Sequence, residues 1–143
     1  MLFDLPGVAQ LAAQQLGSNP ATREIQTHGG NFFTDALPTG ADLITLVRVI
    51  FDHDDERVLT LLASIYKALP SGGTLLIAEP MADAPDAEAM GHAYFGFYLL
   101  AMGRGRPRTI NEISNLLKKV GFKSVQTVAT KMPINTQIVL ARR

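Results

Sequence analysis

Apolar positions change their period several times along the chain, and each change marks an element. Met1–Phe3 form a short apolar stub, the tail of a strand, ending at Asp4-Leu5-Pro6-Gly7. Pro6 suits the first turn of a helix, Val8, Leu11, Ala12 and Leu16 then recur at helical spacing, and Gly17 stops the run. After a turn at Ser18-Asn19-Pro20, Ile25–His28 predict a short strand, and Gly29-Gly30-Asn31 a flexible loop into Phe32-Phe33. Leu43–Phe51 is β-branched and almost continuously apolar, the pattern of a strand covered on both faces in a parallel sheet. Asp52-His53-Asp54-Asp55 ends it and supplies N-caps for a helix through Leu69, with Val58, Leu61, Leu62, Ile65 and Leu69 as its stripe.

Pro70-Ser71-Gly72-Gly73 breaks that helix, and Thr74–Ala78 is a second buried-strand run, ending at Glu79-Pro80. Residues Ala87–Met102 predict a helix and Gly103–Pro107 a basic turn. Thr109-Ile110-Asn111-Glu112 has capping-box spacing, Ile113, Leu116, Leu117 and Val120 follow on one face, and Gly121 stands just past the end. Lys123–Thr130 and Thr136–Arg142 predict an antiparallel hairpin around a loop containing Pro133. Alternation of helices with buried strands means an α/β fold with antiparallel character at its C-terminal edge.

The 143 residues fit one domain, and an apolar share of 47% excludes a disordered tail. Thirteen basic against 13 acidic side chains lack the excess of a nucleic-acid binder, so no such partner is expected. With no Cys there is neither a thiolate metal site nor a cysteine nucleophile. His28, His53 and His92 are scattered and predict no metal centre. No apolar run is long enough to span a bilayer and no signal peptide opens the chain, which reads as cytoplasmic.

In open α/β sheets ligands bind beyond the carboxyl ends of parallel strands, which draws attention to Asp4, Asn31, Phe51-Asp52-His53 and Glu79. An acidic residue there can accept hydrogen bonds from both ribose hydroxyls, although Asp4 could equally cap the helix that begins at Pro6. Phe32 and Phe33 could stack on a purine or fill core. The carboxylates beside His53 would favour its charged form. Arg104, Arg106 and Arg108 make a basic turn that solvation explains as well as anion binding does.

Several segments follow the order and spacing of one family. They are Phe3-Asp4-Leu5-Pro6, Gly30-Asn31-Phe32-Phe33, Ala41-Asp42-Leu43 through Glu56, Ala68-Leu69-Pro70-Ser71-Gly72-Gly73, Ile77-Ala78-Glu79-Pro80 and Gly105-Arg106-Pro107-Arg108-Thr109. The chain resembles the C-terminal part of the plant-type S-adenosylmethionine-dependent O-methyltransferases, which include acetylserotonin and caffeate enzymes. Asp52-His53-Asp54-Asp55, Glu79-Pro80-Met81 and Tyr94-Phe95-Gly96-Phe97-Tyr98 most resemble its bacterial carotenoid branch, which methylates tertiary hydroxyls.

The resemblance implies a class I methyltransferase sheet, mostly parallel with a C-terminal antiparallel hairpin. It implies S-adenosylmethionine as cofactor, with Asp4 on the ribose, Asn31 and Phe32 near the adenine, and Arg48 at a neighbouring strand end. Asp52, His53 or Glu79 could receive the proton, and Tyr94, Phe97 and Tyr98 would line a channel for an apolar small molecule or fill ordinary helix core. A lipophilic substrate would bring peripheral membrane contact. Phe51 stands where the family has its catalytic histidine, His53 replaces a tryptophan, and Pro107 aligns with a second catalytic glutamate. A phenol mechanism therefore does not transfer intact, and for a tertiary alcohol proton loss is expected late.

The family's first strand and glycine-rich turn precede the position of Asp4, so the resemblance also implies a domain truncated at its N-terminus, inactive alone and prone to form homo-oligomers. Methylation of another apolar hydroxylated molecule, or a non-catalytic fold used for binding or dimerisation, stands beside the carotenoid reading.

Overall fold

A computed structural model describes residues 1–83, 96–101 and 103–143. They form two compact units, Met1–Thr39 and Gly40–Arg143. In the first, β1 (Leu2–Asp4) pairs in parallel with β2 (Thr27–Gly29), and α1 (Pro6–Gly17) connects them. Proline at the helix start costs nothing, because the first-turn amides have no intrahelical acceptor. Only Ala9 of α1 is buried, and Val8 and Leu11 of the expected stripe are exposed. Gly29 and Gly30 permit close approach: a Cβ on Gly29 would lie 2.9 Å from Pro6 Cα, and one on Gly30 2.7 Å from Phe3 Cζ.

The second unit is a four-stranded sheet of β3 (Leu43–Val47), β4 (Thr74–Glu79), β5 (Ser124–Val128) and β6 (Gln137–Arg142), in the order β3-β4-β6-β5. β3 and β4 are parallel, and β6 runs antiparallel to both β4 and β5. The hairpin expectation therefore holds. Between β3 and β4 lies α2 (Asp55–Ala68), capped by the Asp54 side chain, which accepts a hydrogen bond from the Arg57 amide at 2.9 Å. α3 (Ile110–Val120) has the full capping box at Thr109 and Glu112 and ends on Gly121 at φ 118°, a left-handed cap that favours glycine. Of the helix expected over 87–102, residues 96–101 are helical and the others lie outside the described residues.

Side chains paired across neighbouring strands share a face. Leu75 and Ile77 of β4 thus lie with Leu46 of β3 and Val139 and Ala141 of β6, all buried. Val58, Leu61, Leu62 and Ile65 of α2 and Ile113 and Leu117 of α3 complete the core. β3 stops at Val47 instead of Phe51, and it is an edge strand whose Leu43 and Val47 are 52% and 59% exposed. The chain leaves the ladder at Arg48, the one non-glycine residue of positive φ (55°) among the described residues.

Candidate functional site

The departure at Arg48 has a purpose visible in its partners. Arg48 donates its amide to the Ala78 carbonyl at 2.9 Å, continuing the β3–β4 pairing by one bond, and the next two amides then turn toward Glu79. Glu79 Oε1 accepts from Val49 at 2.9 Å and from Ile50 at 2.6 Å. A left-handed residue without glycine costs roughly 1–2 kcal/mol, which these two main-chain hydrogen bonds are able to offset. The chain then makes a short 3-10 turn, Ile50–Asp52, before Asp54 caps α2.

Glu79 is 2% exposed, and burial pushes its carboxyl up to about 7 against the pull of the two amides and of Arg108. Phe51 is buried and stacks with Tyr98, ring centroids 6.4 Å apart, while the Arg48 guanidinium lies 5.7 Å from the Phe51 centroid. Asp52 Oδ1 is buried and has no hydrogen-bond partner among the described residues, as have His28 Nε2 and Gln137 Nε2. Burial raises the Asp52 carboxyl despite the opposing charges of His53 and Arg48. His53 reverses its expectation: burial lowers its imidazole and outweighs the Asp52 and Asp54 carboxylates, so the neutral form is favoured.

In the basic turn Arg104 and Arg106 are exposed, but Arg108 is not solvated. Arg108 is 2% exposed; its Nη1 donates to the Ile50 carbonyl at 2.8 Å, its Nη2 to the His53 carbonyl at 2.6 Å, and its Nε to Asp55 Oδ1 at 2.9 Å. Arg106 bridges Asp55 and Glu112 at 3.1 and 2.7 Å, and its amide donates to the Phe51 carbonyl at 3.0 Å. Sequence reasoning left Arg108 unassigned. The signal available was its place inside the Gly105–Thr109 motif, directly before the capping threonine.

In the first unit Asp4, Asn31 and Phe32 gather at the carboxyl end of β1 and β2. Gly30 donates its amide to the Asp4 carbonyl at 2.9 Å, which sets Asn31 directly beyond the strand end. The N-cap of α1 is Leu5 without any side-chain cap, so Asp4 does not cap it. Its Oδ1 accepts instead from the Leu5 amide at 2.7 Å. Asn31 Oδ1 accepts from the Phe33 amide at 3.0 Å, and Phe32 meets Phe33 edge to face at 4.6 Å.

The second unit therefore brings together Arg48, Asp52, His53, Glu79 and Tyr98, and the first unit Asp4, Asn31 and Phe32. Phe97 is 73% exposed, and Tyr94 lies outside the described residues. Among the described residues there is no group of three or more acidic or histidine side chains that could hold a metal, and no helix long and apolar enough to cross a membrane.

Comparison with known proteins adds four findings. Residues 1–123 match the model of the O-methyltransferase domain. The chain is 42% identical over 143 residues to a demethylspheroidene O-methyltransferase of Cereibacter sphaeroides, covering all of this chain and 38% of that protein. It is 36% identical over 129 residues to an acetylserotonin O-methyltransferase of Gallus gallus, covering 90% of this chain and 37% of the other. Among solved structures, human N-acetylserotonin methyltransferase in complex with S-adenosylmethionine superposes with a TM-score of 0.84 at 31% identity, over 99% of this chain and 39% of that one. The chain thus spans under two-fifths of the length of these relatives.

Proposed function

Because the chain belongs to the O-methyltransferase domain family, we propose that it is the C-terminal part of a catalytic domain that methylates a hydroxyl of an apolar small molecule, with S-adenosylmethionine as donor. The likeness to demethylspheroidene O-methyltransferase favours a carotenoid-type tertiary alcohol. The single observation that carries a chemical role is Asp52 Oδ1 beyond the end of β3, buried and without a hydrogen-bond partner among the described residues.

The first unit fits the nucleoside end of the cofactor. Asp4 stands at the carboxyl end of a parallel strand with a carboxylate that no helix uses as a cap, and such a group can accept from ribose hydroxyls. Phe32 and Asn31 supply an aromatic face and an amide beside it. When bound, the cofactor supplies an electrophilic sulfonium methyl.

In the second unit Asp52 is the proton acceptor of this proposal. Its Oδ1 can take the hydrogen bond of a substrate hydroxyl, and burial makes it a stronger base than an exposed aspartate. Glu79 Oε1 is committed to two main-chain amides, so Glu79 holds the turn in place. Phe51 offers packing in place of a base, and its stacking on Tyr98 gives the acceptor end an aromatic wall.

The test is calorimetry with S-adenosylmethionine, followed by methyl transfer to a hydroxylated carotenoid. Micromolar binding and turnover are expected of this chain within a catalytic domain as long as that of its relatives and not of these 143 residues alone, with Asp52→Asn lowering turnover about 100-fold while leaving cofactor affinity in place. No cofactor binding would remove the enzyme reading from this chain. Full turnover in Asp52→Asn would move the proton elsewhere.

A further inference from the structure

We propose that Arg108 is a positioning residue of the acceptor site: its one guanidinium clamps both ends of the turn carrying Phe51 and Asp52. The turn is thereby held in the shape that presents the Val49 and Ile50 amides to Glu79. Ile50 and His53, whose carbonyls it takes, bracket the two residues that face the site. Its third partner, Asp55, opens α2, and the Arg108–Asp55 ion pair is 2.7 Å long although the Arg108 side chain is only 1% exposed. A guanidinium so buried is stable only with its donors matched, and these three partners match both Nη groups and Nε.

The clamp is reinforced by its neighbours. Gly105, at φ 84°, lies against the turn so closely that a Cβ there would collide with the Phe51 carbonyl and sit 2.9 Å from Asp52 Cα. Arg106 donates its amide to the Phe51 carbonyl. On the other side, the Arg108 carbonyl accepts from the Ala82 amide at 2.9 Å, and Asp83 accepts from the Ile110 amide at 3.1 Å. Arg108 consequently ties the segment beyond Glu79 to the turn that holds Asp52. The guanidinium also acts on the Glu79 carboxyl through space, opposing the effect of burial. Asp52 acts on Glu79 in the other direction.

The inference rests on the reading of this cluster as an acceptor site for its purpose, but its test does not require methyl transfer, so the two can fail separately. Carboxyl carbon NMR of the whole chain follows the Glu79 titration, and amide exchange follows Val49 and Ile50. In Arg108→Met the Glu79 midpoint should rise by about one pH unit, since a cation is removed. The Val49 and Ile50 amides should exchange about tenfold faster while the β4–β6 ladder keeps its protection. Arg108→Lys, which keeps the charge but not the fork, should retain the midpoint and lose the amide protection. A folded Arg108→Met with unmoved midpoint and unmoved amides would reduce Arg108 to a packing residue. Should the methionine variant not fold, the wild-type chain decides: the Arg108 Nε–H should exchange slowly at neutral pH, and exchange at the rate of a solvated arginine overturns the clamp.

Discussion

Burial drives the Glu79 carboxyl up to about 7 although two amides and a guanidinium pull the other way. The unfolded chain releases this proton near the ordinary glutamate value, so the folded state binds it more tightly. The stabilisation from that tighter binding is complete below about pH 4 and is lost as pH rises through about 7. Glu79→Gln keeps an acceptor for Val49 and Ile50 but has no proton to lose. Urea unfolding between about pH 5 and 8 should show wild type losing up to about 3 kcal/mol relative to the variant; parallel profiles would show that the charge is accommodated. At this scale the site was half legible. Asp52 and Glu79 were reachable from the rule that strand ends carry chemistry. Arg108 was not, because a basic turn looks solvated until its partners more than fifty residues away are known.

Helices α2 and α3 and the hairpin were legible because each signals locally. Asp54 caps α2, Thr109 and Glu112 cap α3, and Gly121 stops it. The end of β3 was not, since Val49-Ile50-Phe51 keeps the apolar pattern while the backbone has already turned at Arg48 to satisfy Glu79. The pattern also overstated burial, because a run of β-branched residues looks the same in a central strand and at an edge. The edge has its own consequence. Leu43, Thr45 and Val47 form an exposed, uncharged face on a strand with one open side, the kind of surface that natural sheets usually protect with charge. Light scattering of the chain should show mass rising with concentration, and Val47→Lys should suppress the rise. A wild-type mass that stays at one chain would mean the edge is protected in some other way.

For the molecule as a whole, the contacts that define the acceptor turn differ from those that define the helices in how far they reach. Arg108 meets its partners across 53, 55 and 58 residues, whereas Asp54 caps α2 across three. Long closures cost chain entropy before they return any energy. The capped helices can therefore form early, while the turn between β3 and α2 is fixed only after the segment beyond β4 has docked. Folding order then follows from the clamp. Arg108→Lys should hasten unfolding and leave the refolding rate nearly unchanged in stopped-flow experiments, the signature of contacts made after the transition state; refolding slowed in proportion would place the clamp in the nucleus. A chain on its way to the native state would thus own a packed core before its acceptor turn had taken shape.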